Sequence, residues 1–151
     1  MEHYYLNRKY KDRLFRFIFS DKGNLLQLYN AINDSQYNNP DDLVITTIDD
    51  VVYMGMKNDL SFIIDDIMSL YEHQSTHSPN LPLRGLFYFS AMYRNYIEPM
   101  KQKLYTDSPL RIHFPVYLVF YNGSMEEPER KEIPLSDLFI QNGKGLQPAL
   151  E

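Results

Sequence analysis

Residues 59–74 read DLSFIIDDIMSLYEHQ, and this stretch determines what fold we expect for the middle of the chain. Two apolar runs, at 60–64 and 67–71, flank the pair Asp65 and Asp66. Short apolar runs joined by two turn-forming residues are typical of a β-hairpin, although this turn lacks the glycine that such loops favour. We therefore expect a tight antiparallel hairpin here.

The elements around the hairpin follow from hydrophobic periodicity and from proline and glycine positions. Leu14, Phe15, Ile18 and Phe19 recur at helical spacing, and Pro82 suits the first turn of a later helix. The predicted elements are, in order, a helix over 10–19, a break over 21–24, a short helix over 25–32, at least one strand within 43–56, the hairpin, a helix over 82–97, a strand over 115–121 and a helical turn over 135–139. This order indicates an α/β protein.

The composition is that of an ordinary globular domain. A chain of 151 residues fits a single domain, expected to span 1–151, and is long enough to bury a core. The absence of cysteine excludes disulfides and thiolate chemistry and fits a reducing compartment. Because the sequence shows neither a signal segment nor an apolar stretch of about 18 residues, we expect a cytoplasmic protein without a membrane partner.

The formal net charge of −5 excludes a protein that coats nucleic acid by charge alone, because such binding needs many lysines and arginines against phosphate. It does not exclude a nuclease. Carboxylates that hold a metal lower the net charge, while a local basic strip can still meet the nucleic-acid backbone.

The hairpin brings two carboxylates together. If the two aspartates of the turn form the loop, the register pairs Asp59 directly with Glu72, with Cβ atoms about 4.5–5.5 Å apart. Gln74 shares the face of Glu72 by strand alternation, whereas His73 points to the other face. Oxygen ligands suit Mg²⁺, so Asp59 and Glu72 are candidate metal ligands. The alternative is that both are solvated carboxylates on the hairpin surface.

Asp59 followed by Glu72-His73-Gln74 resembles the D…ExK signature of the PD-(D/E)XK nuclease superfamily, in the ExQ form of the recombination-promoting nuclease (Rpn) group. Three further segments resemble the same group in the same order: Asp12-Arg13-Leu14-Phe15-Arg16 with Phe19, Leu81-Pro82-Leu83-Arg84, and Tyr121-Asn122-Gly123. The resemblance covers most of the chain from about Lys9. Leu135-Ser136-Asp137 and Pro148-Ala149-Leu150-Glu151 are similar to segments of longer members, which implies that the chain is the N-terminal part of a longer protein.

The resemblance implies a restriction-endonuclease-like αβββαβ core, with a mixed central sheet flanked by helices. It also implies a metal-dependent DNA endonuclease that acts on double-stranded DNA in recombination or transposition. Asp59 and Glu72 would bind Mg²⁺, with Mn²⁺ as a substitute, and the metal would activate water. Gln74 stands where the superfamily has lysine. A glutamine cannot supply positive charge or act as a base, but its amide can orient the water or the phosphate.

Basic side chains are the candidates for contact with DNA. Arg13, Arg16 and Arg84 could contact phosphate, although single arginines on helices are more often solvated or ion-paired. Cleavage of both strands needs two active sites, or two successive visits by one site. A homodimer, which would supply two sites, is therefore a possible form of the protein.

Two other classes of function remain open on the sequence. The first is a DNA-binding or protein-interaction module on the same fold whose catalytic site has decayed, which Gln74 and the acidic balance would support. The second is a metal-dependent hydrolase of a smaller phosphoester, because a D…ExQ site specifies no nucleic acid by itself.

Overall fold

The structure is a computed structural model that describes residues 10, 13–46 and 60–140. Asp59, most of the strand-like stretch after Ile45 and the segment 141–151 lie outside the described residues. The elements are helix α1, helical over 13–19, α2 (Lys22–Asn33), strands β1 (Val44–Ile45), β2 (Leu60–Ile64) and β3 (Ile67–Gln74), helix α3 (Leu81–Ile97), and strand β4 (Phe114–Tyr121). Short 3-10 segments occupy Pro40–Asp42, Glu98–Tyr105 and Leu135–Leu138.

The described strands form one mixed sheet in the order β1-β2-β3-β4. The pairs β1/β2 and β2/β3 are antiparallel, whereas β4 is parallel to β3. A parallel neighbour requires a crossover connection, and α3 supplies it between β3 and β4. The chain is therefore a mixed α/β protein, which confirms the coarse class predicted from the sequence.

The predicted hairpin is confirmed with its register. Ile64 pairs with Ile67 and Leu60 pairs with Tyr71. Asp65 takes the left-handed conformation, with φ of 48°, that a glycine would otherwise supply. Aspartate tolerates this conformation better than most residues, and the Tyr37 hydroxyl donates a hydrogen bond to the Asp65 carboxylate. The turn can therefore close without glycine.

The break predicted over 21–24 is wrong in its extent. Asp21 is the N-cap of α2, and its side chain accepts a hydrogen bond of 2.9 Å from the backbone N–H of Asn24. Because this carboxylate satisfies an N–H group that lacks a helical partner, the helix already begins at Lys22. Gly23 is thus a helical residue here.

One face of the sheet, which we call the α2 face, carries the main hydrophobic core. Phe62 of β2 and Tyr71 of β3 are fully buried on it, with their rings edge to face at 5.0 Å. Tyr29 of α2 and Phe15 of α1 belong to the same buried cluster. Helices α1 and α2 therefore cover one side of the sheet.

The opposite face, which we call the α3 face, is covered by α3. The buried positions of that helix are Leu81, Gly85, Tyr88 and Met92, which recur at the spacing of one helical face. At Gly85 the helix lies so close to β4 that an added Cβ would be 2.6 Å from the ring of Tyr117. No real Cβ contact is that short, so α3 can approach β4 this closely because the residue is glycine.

Within the described ranges, none of the helices combines the length and the apolar character that crossing a membrane would require.

We predict that Gly85→Ala destabilises the protein. Overpacking typically costs about 1–3 kcal/mol, and a Cβ only 2.6 Å from the ring of Tyr117 places this site in the upper part of that range, above the roughly 1 kcal/mol that alanine gains over glycine in a helix. Urea unfolding of the variant measures the difference. Ser90→Ala, at an exposed position of the same helix, is the control and should stay within about 0.5 kcal/mol of wild type. A Gly85→Ala protein as stable as wild type would contradict the close packing.

Candidate functional site

Glu72 lies near the end of β3 with only 1% of its surface exposed. Each of its carboxylate oxygens has a separate partner. Arg84 Nη2 donates to Oε1 at 2.9 Å, and the Tyr117 hydroxyl donates to Oε2. A buried carboxylate is costly unless it is paired and hydrogen-bonded, and these two contacts meet both conditions.

Arg84 reaches Glu72 from the first turns of α3. Tyr88 lies one helical turn further along, so both side chains point towards the sheet. Arg84 Nη2 is 3.4 Å from the Tyr88 hydroxyl, and this hydroxyl also hydrogen-bonds with Glu72. We call Glu72, Arg84, Tyr88 and Tyr117 the Glu72 cluster.

Three groups of the Glu72 cluster, Arg84, Tyr88 and Tyr117, have raised pKa values. Burial, followed by the charge of Glu72 and the hydrogen bond to it, raises the pKa of Tyr117. Burial is also the main cause that raises the pKa of Tyr88. For Arg84, burial works against the charged form, but the Tyr88 hydrogen bond and the Glu72 charge outweigh it and raise its pKa. At neutral pH the carboxylate therefore faces one cation and two protonated tyrosines.

The side chains at the end of β3 alternate between the two faces of the sheet, as the sequence predicted. Glu72 contacts α3 and β4, whereas His73 stacks on Phe15 with ring centroids 5.7 Å apart, on the α2 face. By strand alternation Gln74 shares the face of Glu72. The Gln74 carbonyl also accepts a hydrogen bond of 3.0 Å from the backbone N–H of Asn122, which ties β3 to the segment after β4.

The structure brings one of the three predicted arginines to the candidate site. Arg84 pairs with Glu72 on the α3 face. Arg13 and Arg16 belong to α1, whose Phe15 packs against His73 and Phe120 on the other side of the sheet. Of these three arginines, Arg84 therefore adjoins the buried carboxylate, whereas Arg13 and Arg16 belong to the helix that covers the opposite face.

The donors on the α3 face fit a hard divalent cation in kind. Glu72 offers carboxylate oxygens and Gln74 an amide oxygen, which are the ligand types that Mg²⁺ takes. No group of three or more His, Asp or Glu residues that could hold a metal occurs in the part of the chain that the structure describes. A metal site would need a further ligand beside Glu72. The candidate from the sequence is Asp59, which lies outside the described residues.

Tyr88 and Tyr117 were not among the residues predicted for the site. Tyr88 lies four residues after Arg84, a spacing that could have indicated contact on one helical face. Tyr117 lies within the apolar run of β4, where a tyrosine is normally read as core. Only the parallel pairing of β3 with β4 brings it to Glu72.

Comparison of the chain with protein-family models, with curated proteins and with solved structures found no match.

We predict that Tyr117 makes the protein less stable in alkali. Its pKa is raised in the folded protein above the ordinary value of 10.0, so its contribution is complete below about pH 10 and is lost as pH rises further. The unfolding free energy of wild type should fall above about pH 10 more steeply than that of Tyr117→Phe, by up to about 1.4 kcal/mol per pH unit.

Urea unfolding at several values between about pH 8 and about pH 11.5 measures the two slopes. Tyr105→Phe removes the hydroxyl of a ring that is 89% exposed, and it should keep the wild-type slope. Equal slopes for wild type and Tyr117→Phe would show that Tyr117 is not held protonated by the cluster.

Proposed function

We propose that the chain is a metal-dependent DNA endonuclease domain with a restriction-endonuclease-like αβββαβ core. The order of its elements supports this: helices precede three antiparallel strands, and a crossover helix then leads to a fourth strand parallel to the third. Helices on both faces of the mixed sheet agree with the same core. Glu72 and Gln74 lie on the third strand, and Asp59 directly precedes the second strand in the sequence.

The observation that carries the proposal is the placement of Glu72 beside Gln74 at the end of a hairpin strand. The carboxylate is buried and is held by Arg84 and Tyr117. Carboxylates that ligate metals are usually oriented by further hydrogen bonds, and Glu72 has such bonds. A solvated surface carboxylate, the alternative considered for Glu72 from the sequence, would not be 1% exposed.

In the proposed mechanism, Asp59 and Glu72 would hold Mg²⁺, and the metal would supply an activated water and screen the phosphate charge. Gln74 orients the water or the phosphate through its side-chain amide, and it carries no proton between them. Tyr117 and Tyr88 keep the Glu72 carboxylate in place and remain neutral. Arg84 balances the charge of Glu72 in the buried cluster.

We propose double-stranded DNA as the substrate, recombination or transposition as the process, and the cytoplasm as the location. A homodimer would provide the two active sites that cleavage of both strands needs. Arg84 is the arginine best placed to meet phosphate, because it adjoins Glu72 and its side chain is 27% exposed. Arg13 and Arg16 would contact DNA only where it wraps beyond the α3 face.

One observation favours a second candidate, a DNA-binding or protein-interaction module that no longer cleaves. Both oxygens of Glu72 are engaged, and one of them by a cation of the protein itself. Such a pair can serve as a buried ion pair of the fold and nothing more. Metal binding and cleavage distinguish the two candidates.

We predict that the protein nicks supercoiled plasmid in Mg²⁺ or Mn²⁺ and is inactive in EDTA. Asp59→Asn and Glu72→Gln should each lower the rate by about a hundredfold or more, because each removes a charge that holds the metal. Glu98→Gln, an exposed carboxylate on α3's C-terminal side, is the control and should cleave like wild type. Circular dichroism shows whether each variant is folded.

Metal-independent cleavage, or cleavage that survives both substitutions, would refute the assigned site. A folded wild-type protein that binds plasmid but never cuts it would favour the non-catalytic module. Hydrolysis of a small phosphodiester without any plasmid cleavage would favour a hydrolase of smaller substrates.

A further inference from the structure

The contact between Arg84 and Glu72 creates an electrostatic conflict with metal binding. The Arg84 guanidinium lies 2.9 Å from Glu72 Oε1 and stays charged. A divalent cation on the same carboxylate would be repelled by this positive charge, and the repulsion is strong because the site is poorly hydrated. The Arg84 guanidinium and a divalent cation therefore cannot both bind the carboxylate tightly.

The two oxygens of Glu72 are not equivalent. Oε2 accepts from the neutral hydroxyl of Tyr117 on β4, whereas Oε1 accepts from the charged Arg84 on α3. Tyr117 is confined by Gly85 and is edge to face with Phe89, so its ring has little freedom to leave. Arg84 has a long flexible side chain that is 27% exposed, and its contact with the Tyr88 hydroxyl, at 3.4 Å, is long for a hydrogen bond, so its guanidinium can turn towards solvent.

From these contacts we infer that Arg84 and a divalent cation compete for the Glu72 carboxylate, so that Arg84 sets how tightly the site takes its metal. Tyr117 and Tyr88 are the neutral partners of the carboxylate, and Arg84 is the charged and exchangeable one. The inference rests on the proposed function, because it requires Glu72 to be a metal ligand. It differs from the expectation that Arg84 merely supports Glu72, since support and competition change metal affinity in opposite directions.

The competition gives Arg84 a second role as an internal counter-ion. When no metal is bound, a buried carboxylate without a partner would destabilise the fold, and Arg84 prevents this. When a metal binds, it takes over the charge compensation. The fold is thus stable with either cation, at the cost of a weaker affinity for the metal.

The test is the affinity for Mn²⁺, measured by the electron paramagnetic resonance signal of free Mn²⁺. Arg84→Gln keeps an amide donor near Glu72 but removes the charge, and it should lower the dissociation constant by about tenfold or more. Tyr117→Phe removes the neutral partner and should leave the dissociation constant unchanged or raise it. The rise in melting temperature on adding Mn²⁺ should be larger for Arg84→Gln than for wild type.

Arg94→Gln is the matched control. It makes the same substitution at an exposed position of the same helix, so it reports the effect of net charge alone. Its dissociation constant for Mn²⁺ should stay within about twofold of wild type, because exposed charges are screened by salt.

The outcomes separate the inference from the proposed function. If Glu72→Gln abolishes Mn²⁺ binding but Arg84→Gln binds no more tightly than wild type, the inference fails and the metal site stands. If neither wild type nor Arg84→Gln binds Mn²⁺, or if Glu72→Gln binds it as wild type does, the metal site at Glu72 fails and the inference with it.

A measurement on the wild-type chain covers the case in which Arg84→Gln does not fold. Nitrogen-15 spectra report rotation of the Arg84 guanidinium, assigned by the loss of its signal in Arg84→Lys. Addition of diamagnetic Mg²⁺ should release this rotation if the metal displaces Arg84. A guanidinium that stays restrained at saturating Mg²⁺ would overturn the inference.

Discussion

A carboxylate buried in the central sheet needs a cation, and the placement of α3 depends on this need. Glu72 is compensated by Arg84, which α3 can deliver only by lying close against the sheet. The close approach in turn requires Gly85 beneath Tyr117, whose hydroxyl donates a hydrogen bond to the second oxygen of Glu72. One charge therefore links the hairpin, the crossover helix and the parallel strand into a single arrangement.

Much of the fold could be predicted from local patterns in the sequence. The hairpin register followed from two apolar runs and the pair of aspartates between them, because a two-residue loop leaves little choice of pairing. Helix α3 followed from Pro82 and from apolar residues at helical spacing. The start of α2 did not follow, because the capping bond of Asp21 outweighed the turn propensity of Gly23 and Asn24.

The candidate site was only partly readable from the sequence. Strand alternation placed Glu72 and Gln74 on one face, but no local pattern indicates that Glu72 is buried or that Tyr117 binds it. Those facts depend on the parallel register of β3 with β4, which is set by the path of α3 rather than by nearby residues. The three arginines were treated alike in the sequence, whereas their helices separate them onto two faces.

The separation of these partners along the chain has a consequence for the order of folding. The hairpin joins residues that are neighbours in sequence, so it can form early. Arg84 is 12 residues from Glu72, but Tyr117 is 45 residues away. The last protection of the carboxylate therefore waits for the slow, non-local pairing of β4. Until then the edge of β3 remains unpaired, and an unpaired strand edge is where a folding chain is most exposed to aggregation.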